Sequence, residues 1–222
     1  MTRRHALYFA PAADHPLWAA GCDWLGRDPE VGAARAERPH RGDPCRYGFH
    51  ATLKPPFALR DGVDESALLS ALAAWARKRD CFDMPALAVA ELGDFVALRP
   101  MHGEATAPGR PLRRLADDCV RDFDAFRRPS TGAETAKRMA QRLDAPRRAN
   151  VERWGYPHVF DQWRFHMTLS DATAGGVGLL TDATRHFAAA SSARLRCDGV
   201  ALFVEDTPGA DFRLAHRFEF AR

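Results

Sequence analysis

The sequence predicts an α+β fold in which two lobes, each with an antiparallel sheet, face each other across a central cleft. One pentapeptide pattern, Phe-His-x-Thr-Leu, occurs twice, at 49–53 and 165–169. Both copies alternate between polar and apolar side chains, as a strand with one buried face requires. After each copy the pattern predicts a helix and then a two-stranded hairpin. This order indicates an internal duplication within a single bilobal domain at 1–222.

The remaining elements follow from local patterns. Strands are predicted where polar and apolar residues alternate or a short apolar run ends at Pro or Gly, at 5–10, 46–54, 84–92, 94–100, 162–170, 194–205 and 211–220. Helices are predicted where apolar residues recur with helical spacing behind a capping residue, at 14–25, 64–79, 111–126, 133–154 and 181–190. Asp14 is expected to cap the first helix, and residues 26–45 are expected to form a loop. Pro55 and Pro56 are expected to end the first motif strand, because proline cannot donate a backbone hydrogen bond.

Composition and charge restrict the class of protein. With 222 residues, 46% of them hydrophobic and 27% charged, the chain is long and apolar enough for a globular core. A net charge of +3 is too small to indicate nucleic-acid binding by itself. The five cysteines are odd in number and include no C-x-x-C pair, which favours a reducing cytoplasm over a disulfide framework. The N-terminal apolar run is too short for a signal peptide, so we expect a cytoplasmic protein without a membrane partner.

The polar face of each motif carries the candidate functional groups. Residues i and i+2 of a strand point to the same side. By this parity the polar faces hold His50, Thr52, Arg46 and Lys54 on the first strand, and His166, Thr168 and Arg164 on the second. Cations and hydroxyls bind phosphate oxygens, and imidazoles transfer protons near neutral pH. Tyr8 and Tyr156 are candidates for the cleft wall that contacts the substrate.

No metal or cofactor is expected. The sequence contains no H-E-x-x-H, H-x-H or C-x-x-C pattern, and a threonine two residues after a histidine is a poor metal ligand. The sequence also lacks a phosphate-binding loop that ends in Lys-Ser/Thr and a G-x-S-x-G nucleophile pattern.

The paired H-x-T-L motifs resemble the signature of the two-histidine (2H) phosphoesterase superfamily, whose members include cyclic phosphodiesterases and enzymes that act on RNA 2′,3′-cyclic phosphates. Longer segments resemble one bacterial branch, described as putative phosphonate-metabolism proteins, at 6–11, 46–57, 153–157 and 165–169. The resemblance implies a pseudo-two-fold bilobal fold with the helices outside and both motifs lining the cleft. It implies that His50 and His166 are the catalytic pair, with Thr52 and Thr168 holding the phosphate.

The sequence therefore predicts metal-independent hydrolysis of a small cyclic phosphodiester. One neutral histidine would take a proton from water while the other, protonated, gives one to the leaving alkoxide; either could be the base. The predicted partner is a small phosphorylated substrate, and the oligomeric state stays open. One alternative is processing of RNA ends that carry a 2′,3′-cyclic phosphate, which the modest charge disfavours. Another is a non-catalytic phosphate- or nucleotide-binding module, which two intact motifs disfavour.

Overall fold

The computed structural model describes residues 3–32, 38–103, 109–172 and 177–221. The strands are Arg4–Phe9 (β1), Ala51–Phe57 (β2), Phe82–Asp83 (β3), Leu87–Leu92 (β4), Phe95–Pro100 (β5), Met167–Thr168 (β6), Arg196–Cys197 (β7), Gly199–Glu205 (β8) and Arg213–Glu219 (β9). The α-helices are Pro16–Leu25 (α1), Gly42–Tyr47 (α2), Glu65–Ala76 (α3), Arg110–Asp122 (α4), Gly132–Met139 (α5), Ala145–Trp154 (α6) and Val177–Ser192 (α7). Short 3₁₀ turns lie at Asp124–Phe126 and Phe160–Gln162.

The two motif strands are neighbours in the middle of one sheet. Among the described residues, seven strands form this sheet in the order β4-β5-β6-β2-β1-β8-β9, and β3 pairs with β7 separately. All of these pairings are antiparallel. The predicted α+β class with antiparallel strands is confirmed. Two separate sheets were predicted, but the strands form one continuous sheet, because β2 and β6 pair at Ala51 and Met167.

Each motif strand takes its other neighbour from a different part of the chain. The hairpin of β4 and β5, which follows the first motif in sequence, pairs with β6 of the second motif. The hairpin of β8 and β9, which follows the second motif, reaches β2 through β1. The two predicted hairpins are therefore present, and each extends the half of the sheet that holds the opposite motif.

The apolar residues of the motifs hold the strands against the core. Phe49 and Phe165 are completely buried, and the ring of Phe49 stacks on that of Phe187 in α7 at 5.9 Å. Helix α1 also packs against the first motif. Its Gly21 is so close to the Phe49 ring that an added Cβ would stand 2.2 Å from it. The predicted inward orientation of the apolar motif residues is thus confirmed.

The motif strands are shorter than their alternation suggested. β2 begins at Ala51 because residues 42–47 form helix α2, within what was expected to be loop and strand. β6 covers only Met167–Thr168. β2 also continues through Pro55 and Pro56 to Phe57, so the prediction that the prolines end it is wrong. β6 pairs with β2 only at Ala51, and an edge without a ladder partner tolerates proline.

Several predicted helix boundaries also change. His15, rather than Asp14, caps α1, because its Nδ1 accepts a hydrogen bond from the Leu17 amide at 3.1 Å. The predicted stretch 133–154 splits into α5 and α6, and Asp144 caps the second of these by accepting from the Arg147 amide. The predicted helix at 111–126 ends at Asp122 and passes into a 3₁₀ turn.

Two predictions about the chain as a whole can be compared with the described residues. All five cysteines lie in the described ranges and are unpaired thiols, as the absence of a disulfide pattern predicted. None of the described helices combines the length and apolar character that a membrane span needs.

Candidate functional site

The pairing of β2 with β6 places the four polar motif residues on one face. Ala51 and Met167 lie opposite each other and are buried. Continuing this antiparallel register by one residue in each direction sets His50 opposite Thr168 and Thr52 opposite His166. Residues directly opposite on antiparallel strands have Cβ atoms about 4.5–5.5 Å apart. Each histidine directly precedes one of these two paired strands, and His166 is close enough for its charge to lower the pKa of His50.

Both imidazoles are oriented in the same way by the backbone. The Nδ1 atom of His50 lies 2.8 Å from the Gly48 carbonyl oxygen, and the Nδ1 atom of His166 lies 2.8 Å from the Arg164 carbonyl oxygen. A carbonyl can only accept, so each Nδ1 carries the proton and donates it. In a neutral imidazole with this tautomer, Nε2 is the basic nitrogen. The Nε2 atom of His50 lies 3.3 Å from the Thr52 hydroxyl oxygen.

His50 is held in its neutral form, which is the form that can accept a proton. The pKa of His50 is lowered from its ordinary 6.5 to about 4, mainly by burial. The hydrogen bond to the Gly48 carbonyl raises this pKa, and the charge of His166 lowers it. The ring of Tyr8 stacks on His50 at a centroid distance of 3.7 Å and an angle of 19°. His50 is therefore unprotonated at neutral pH, as a general base must be.

Indole hydrogen bonds fix both motif strands from outside the motifs. The Nε1–H of Trp163 donates to the Thr52 carbonyl oxygen at 2.8 Å. The Nε1–H of Trp24 donates to the Leu169 carbonyl oxygen at 2.8 Å. Each motif is thus tied by a buried tryptophan to a part of the chain outside it.

A cavity of about 390 Å³ opens on this face of the sheet. Its walls include Thr52 and His166 together with Tyr156, His158 and Arg164. The structure therefore brings together four of the residues predicted for the site and adds His158, which no sequence pattern singled out. His50 and Thr168 are not among the lining residues of this cavity. Tyr8 lies behind His50 rather than in the wall, since it is buried, and burial raises its pKa well above the ordinary value of 10.

The strand positions predicted for two arginines are wrong. Arg46 lies in α2, where its guanidinium pairs with the fully buried carboxylate of Glu205 and its Nε donates to the Gly209 carbonyl oxygen at 3.2 Å. Arg164 precedes β6 in irregular chain, and its Nη1 donates to backbone carbonyl oxygens, including that of Asp161 at 3.0 Å. A strand parity argument does not apply to either residue. Their contact with a substrate stays a prediction, with only Arg164 placed in the cavity wall.

Lys54 also departs from the simple alternation. The register of β1 against β2 shifts between the pairs Leu7–Lys54 and Tyr8–Thr52, so Lys54 does not continue the face of Thr52. Its side chain is buried, and Nζ donates to the Val120 carbonyl oxygen at 3.1 Å. Burial lowers the pKa of Lys54 from 10.5 to about 8, although Asp124 at 3.5 Å acts in the opposite direction.

The segment at 127–160 supplies part of the wall around the site. Tyr156, His158 and Arg147 line the cavity beside His166. The dense arginines of this segment were the one sequence signal available for it. Among the described residues, no three His, Cys, Asp or Glu side chains are grouped as a metal site would need.

Comparison with known proteins gives relatives of two kinds. Two curated relatives are both named Ribose 1,5-bisphosphate phosphokinase PhnN. The protein from Janthinobacterium sp. (strain Marseille) is 38% identical over 235 residues, which cover 98% of this chain and 51% of that protein. The protein from Laribacter hongkongensis (strain HLHK9) is 34% identical over 221 residues, which cover 95% and 50%. This chain thus spans about half the length of the curated relatives it matches.

Solved structures give a weaker likeness. A structure described as "Crystal structure of phosphoesterase" superposes with a TM-score of 0.47 at 14% identity, covering all of both chains. E. coli LigT in its apo form superposes with a TM-score of 0.45 at 14% identity, covering all of this chain and 99% of that one. These values do not establish a shared activity.

A family model described as "Protein of unknown function (DUF1045)" matches residues 52–213, which is well over half of the chain. The match includes Thr52 of the first motif and all of the second motif. The chain therefore belongs to the DUF1045 family.

Proposed function

We propose that this protein hydrolyses a small cyclic phosphodiester by acid–base catalysis, with His50 and His166 as the catalytic residues. The observation that supports it most is the matched orientation of the two imidazoles. Each donates Nδ1–H to the carbonyl two residues earlier at 2.8 Å, on adjacent strands of one sheet. Two histidines with purely structural roles need not share the same tautomer and the same kind of backbone partner. Two proton-transfer groups both need Nδ1 held and Nε2 free for the reaction.

In the proposed reaction, the neutral His50 Nε2 takes a proton from water as the water oxygen attacks phosphorus. The bond between phosphorus and one ring oxygen breaks, and His166, as imidazolium, gives its proton to the leaving alkoxide. Water is consumed, and the product is a phosphomonoester with a new hydroxyl. The lowered pKa of His50 is the reason for assigning it as the base. Thr52 and Thr168 would donate their hydroxyl protons to the non-bridging oxygens, where negative charge builds up.

The names of the relatives support a ribose-based substrate. Both are named for a kinase of ribose 1,5-bisphosphate, and this chain spans about half their length. The sequence contains no Gly-Lys pair, which the phosphate-binding loop of many kinases requires, so we do not assign phosphorylation to this chain. Opening of a cyclic phosphate of ribose would instead yield a phosphate ester of ribose, the class of compound that the names of these relatives mention.

A panel of cyclic phosphodiesters tests the proposal. Ribose 1,2-cyclic phosphate, a nucleoside 2′,3′-cyclic phosphate and an oligoribonucleotide with a 2′,3′-cyclic end would be assayed by ³¹P NMR for conversion to a monoester. We expect the small compounds to be hydrolysed at least as fast as the oligonucleotide. A preference of several tenfold steps for the oligonucleotide, falling steeply with salt, would favour RNA end processing. Binding of the compounds without turnover would favour the non-catalytic module.

Variants connect the activity with the site. H50A and H166A should each lose about 10²–10⁴-fold in kcat, the usual contribution of one general acid or base. H102A, which replaces an exposed histidine after β5, is the matched control and should keep wild-type turnover. Wild-type turnover in either motif variant would contradict the two-histidine mechanism.

A further inference from the structure

A second cavity of about 380 Å³ lies beside the histidine face, and its wall is cationic. Five basic side chains and a single carboxylate line it, namely Arg4, Lys54, Arg127, Arg128, Arg138 and Glu134. A phosphate monoester carries nearly two negative charges at neutral pH and three strong acceptor oxygens. A concave wall with this excess of donors therefore favours a phosphate group over a neutral or cationic ligand.

Two of these cations have less than a full carboxylate partner, since Arg138 has none among the described residues and Lys54 shares Asp124 with Arg127. Arg138 has no carboxylate partner in the described part of the chain, and its Nη1 lies 3.5 Å from the Ser130 hydroxyl oxygen. Lys54 is 2% exposed, and its nearest carboxylate, that of Asp124, is 3.5 Å away and is held more closely by Arg127 at 2.7 Å. A buried ammonium with incomplete pairing is unfavourable unless an anion is bound nearby.

Arg128 provides a further donor at the same wall. Its Nη2 pairs with the Glu134 carboxylate at 3.0 Å, yet its Nε is buried and without a hydrogen-bond partner. The Nε–H of Arg128 is therefore a donor that an acceptor bound in the cavity can satisfy.

The cationic cavity is adjacent to the cavity that His166 and Thr52 line. Tyr156 lines both of them. Thr52 lines the first cavity and Lys54 the second, although the register shift in β2 turns Lys54 away from the face of Thr52. Because Tyr156 borders both cavities, a single small ligand that extends past this ring can occupy both of them.

Building on the proposed function, we infer that the cationic cavity binds a second phosphate group of the substrate. The substrate class is then a cyclic phosphodiester of a sugar that also carries a phosphate monoester on the far side of the ring. Arg138 and Arg128 bind the monoester oxygens, and the nearby positive charge of Lys54 attracts the same group. These residues act in binding and specificity, whereas the acid and base remain the two histidines.

The inference is tested with two substrates that differ only in the second phosphate. These are ribose 1,2-cyclic phosphate and the same compound phosphorylated at its 5-hydroxyl. The wild type should prefer the phosphorylated compound by at least about tenfold in kcat/KM, mainly through KM, as the loss of one charge-assisted hydrogen bond predicts. R138Q should lose most of this preference, and R138K should keep part of it. R185Q, which replaces an arginine that is 75% exposed on α7, is the matched control and should keep all of it.

A binding measurement separates this inference from the proposed function. Ribose 5-phosphate, which the enzyme cannot hydrolyse as a diester, is titrated calorimetrically into the wild type, R138Q and R185Q. Equal turnover of both substrates together with no binding of ribose 5-phosphate would overturn the second phosphate site and leave the phosphodiesterase proposal standing. Binding that depends on Arg138 without hydrolysis of either substrate would support the site and contradict the proposed function.

Discussion

Replacing His50 by glutamine should make the protein less sensitive to acid unfolding. Burial, with a further contribution from His166, lowers the pKa of His50 from 6.5 to about 4 in the folded protein. Well above pH 6.5, the folded and unfolded states both hold a neutral imidazole, so this residue gives no pH dependence. As the pH falls below 6.5, the unfolded chain binds a proton that the folded protein does not accept until about pH 4. Stability is therefore lost across this window.

The size of the effect follows from the two pKa values. The shift of His50 from 6.5 to about 4 corresponds to about 3 kcal/mol of lost stability once the pH is below both values. At pH 5 the loss is already about 2 kcal/mol. Glutamine has a similar polar reach and cannot take up the proton, so H50Q lacks this loss.

Urea unfolding at pH 7.5 and pH 5 measures the difference. The drop in the free energy of unfolding between these pH values should be about 2 kcal/mol smaller in H50Q than in the wild type. H102Q, at an exposed position, serves as the control and should show the wild-type drop. An equal drop in H50Q and the wild type would show that His50 titrates alike in both states, and the assignment of His50 as the base would lose its support.

Three further predictions concern the support of the site. Gly48 has a φ of +79°, and a Cβ there would meet the Pro29 Cγ at 2.8 Å. G48A should therefore lower the free energy of unfolding by about 1–3 kcal/mol, and it should lower kcat because the Gly48 carbonyl orients His50. An unchanged kcat together with an unchanged urea midpoint would refute this prediction. Trp163→Phe removes the hydrogen bond to the Thr52 carbonyl and should lower the free energy of unfolding by about 1 kcal/mol, and an unaltered urea midpoint would argue against that bond. Activity should persist in excess EDTA, and loss that a divalent cation restores would contradict a metal-independent mechanism.

The motif pentapeptides were the part of the site that the sequence could predict. Period-2 alternation fixed which motif residues are buried, and the structure confirms it for Phe49 and Phe165. Adjacency of the two motif strands was not predictable in detail, because strand pairing depends on contacts distant in sequence. Two sheets were therefore expected where the strands join into one.

Extending the alternation beyond the pentapeptides produced the errors. The alternation of faces holds only while the chain stays in a regular strand. Arg46 lies in helix α2, and a register shift in β2 separates Lys54 from Thr52, so the alternation predicts neither side chain. The indole donors Trp24 and Trp163 lie outside any motif, so no local pattern indicated that they bond to the motif strands.

The most direct test of the account is the pH dependence of kcat/KM for hydrolysis of a ribose cyclic phosphate by the wild type, H50A and H166A. We expect a bell-shaped wild-type profile from the coupled histidine pair, with an acidic limb below the ordinary histidine pKa of 6.5, because burial keeps His50 neutral to lower pH. H50A should lose the acidic limb and H166A the basic limb, each with a large fall in rate. Hydrolysis by H50A with the wild-type rate and both limbs intact would contradict catalysis by the histidine pair.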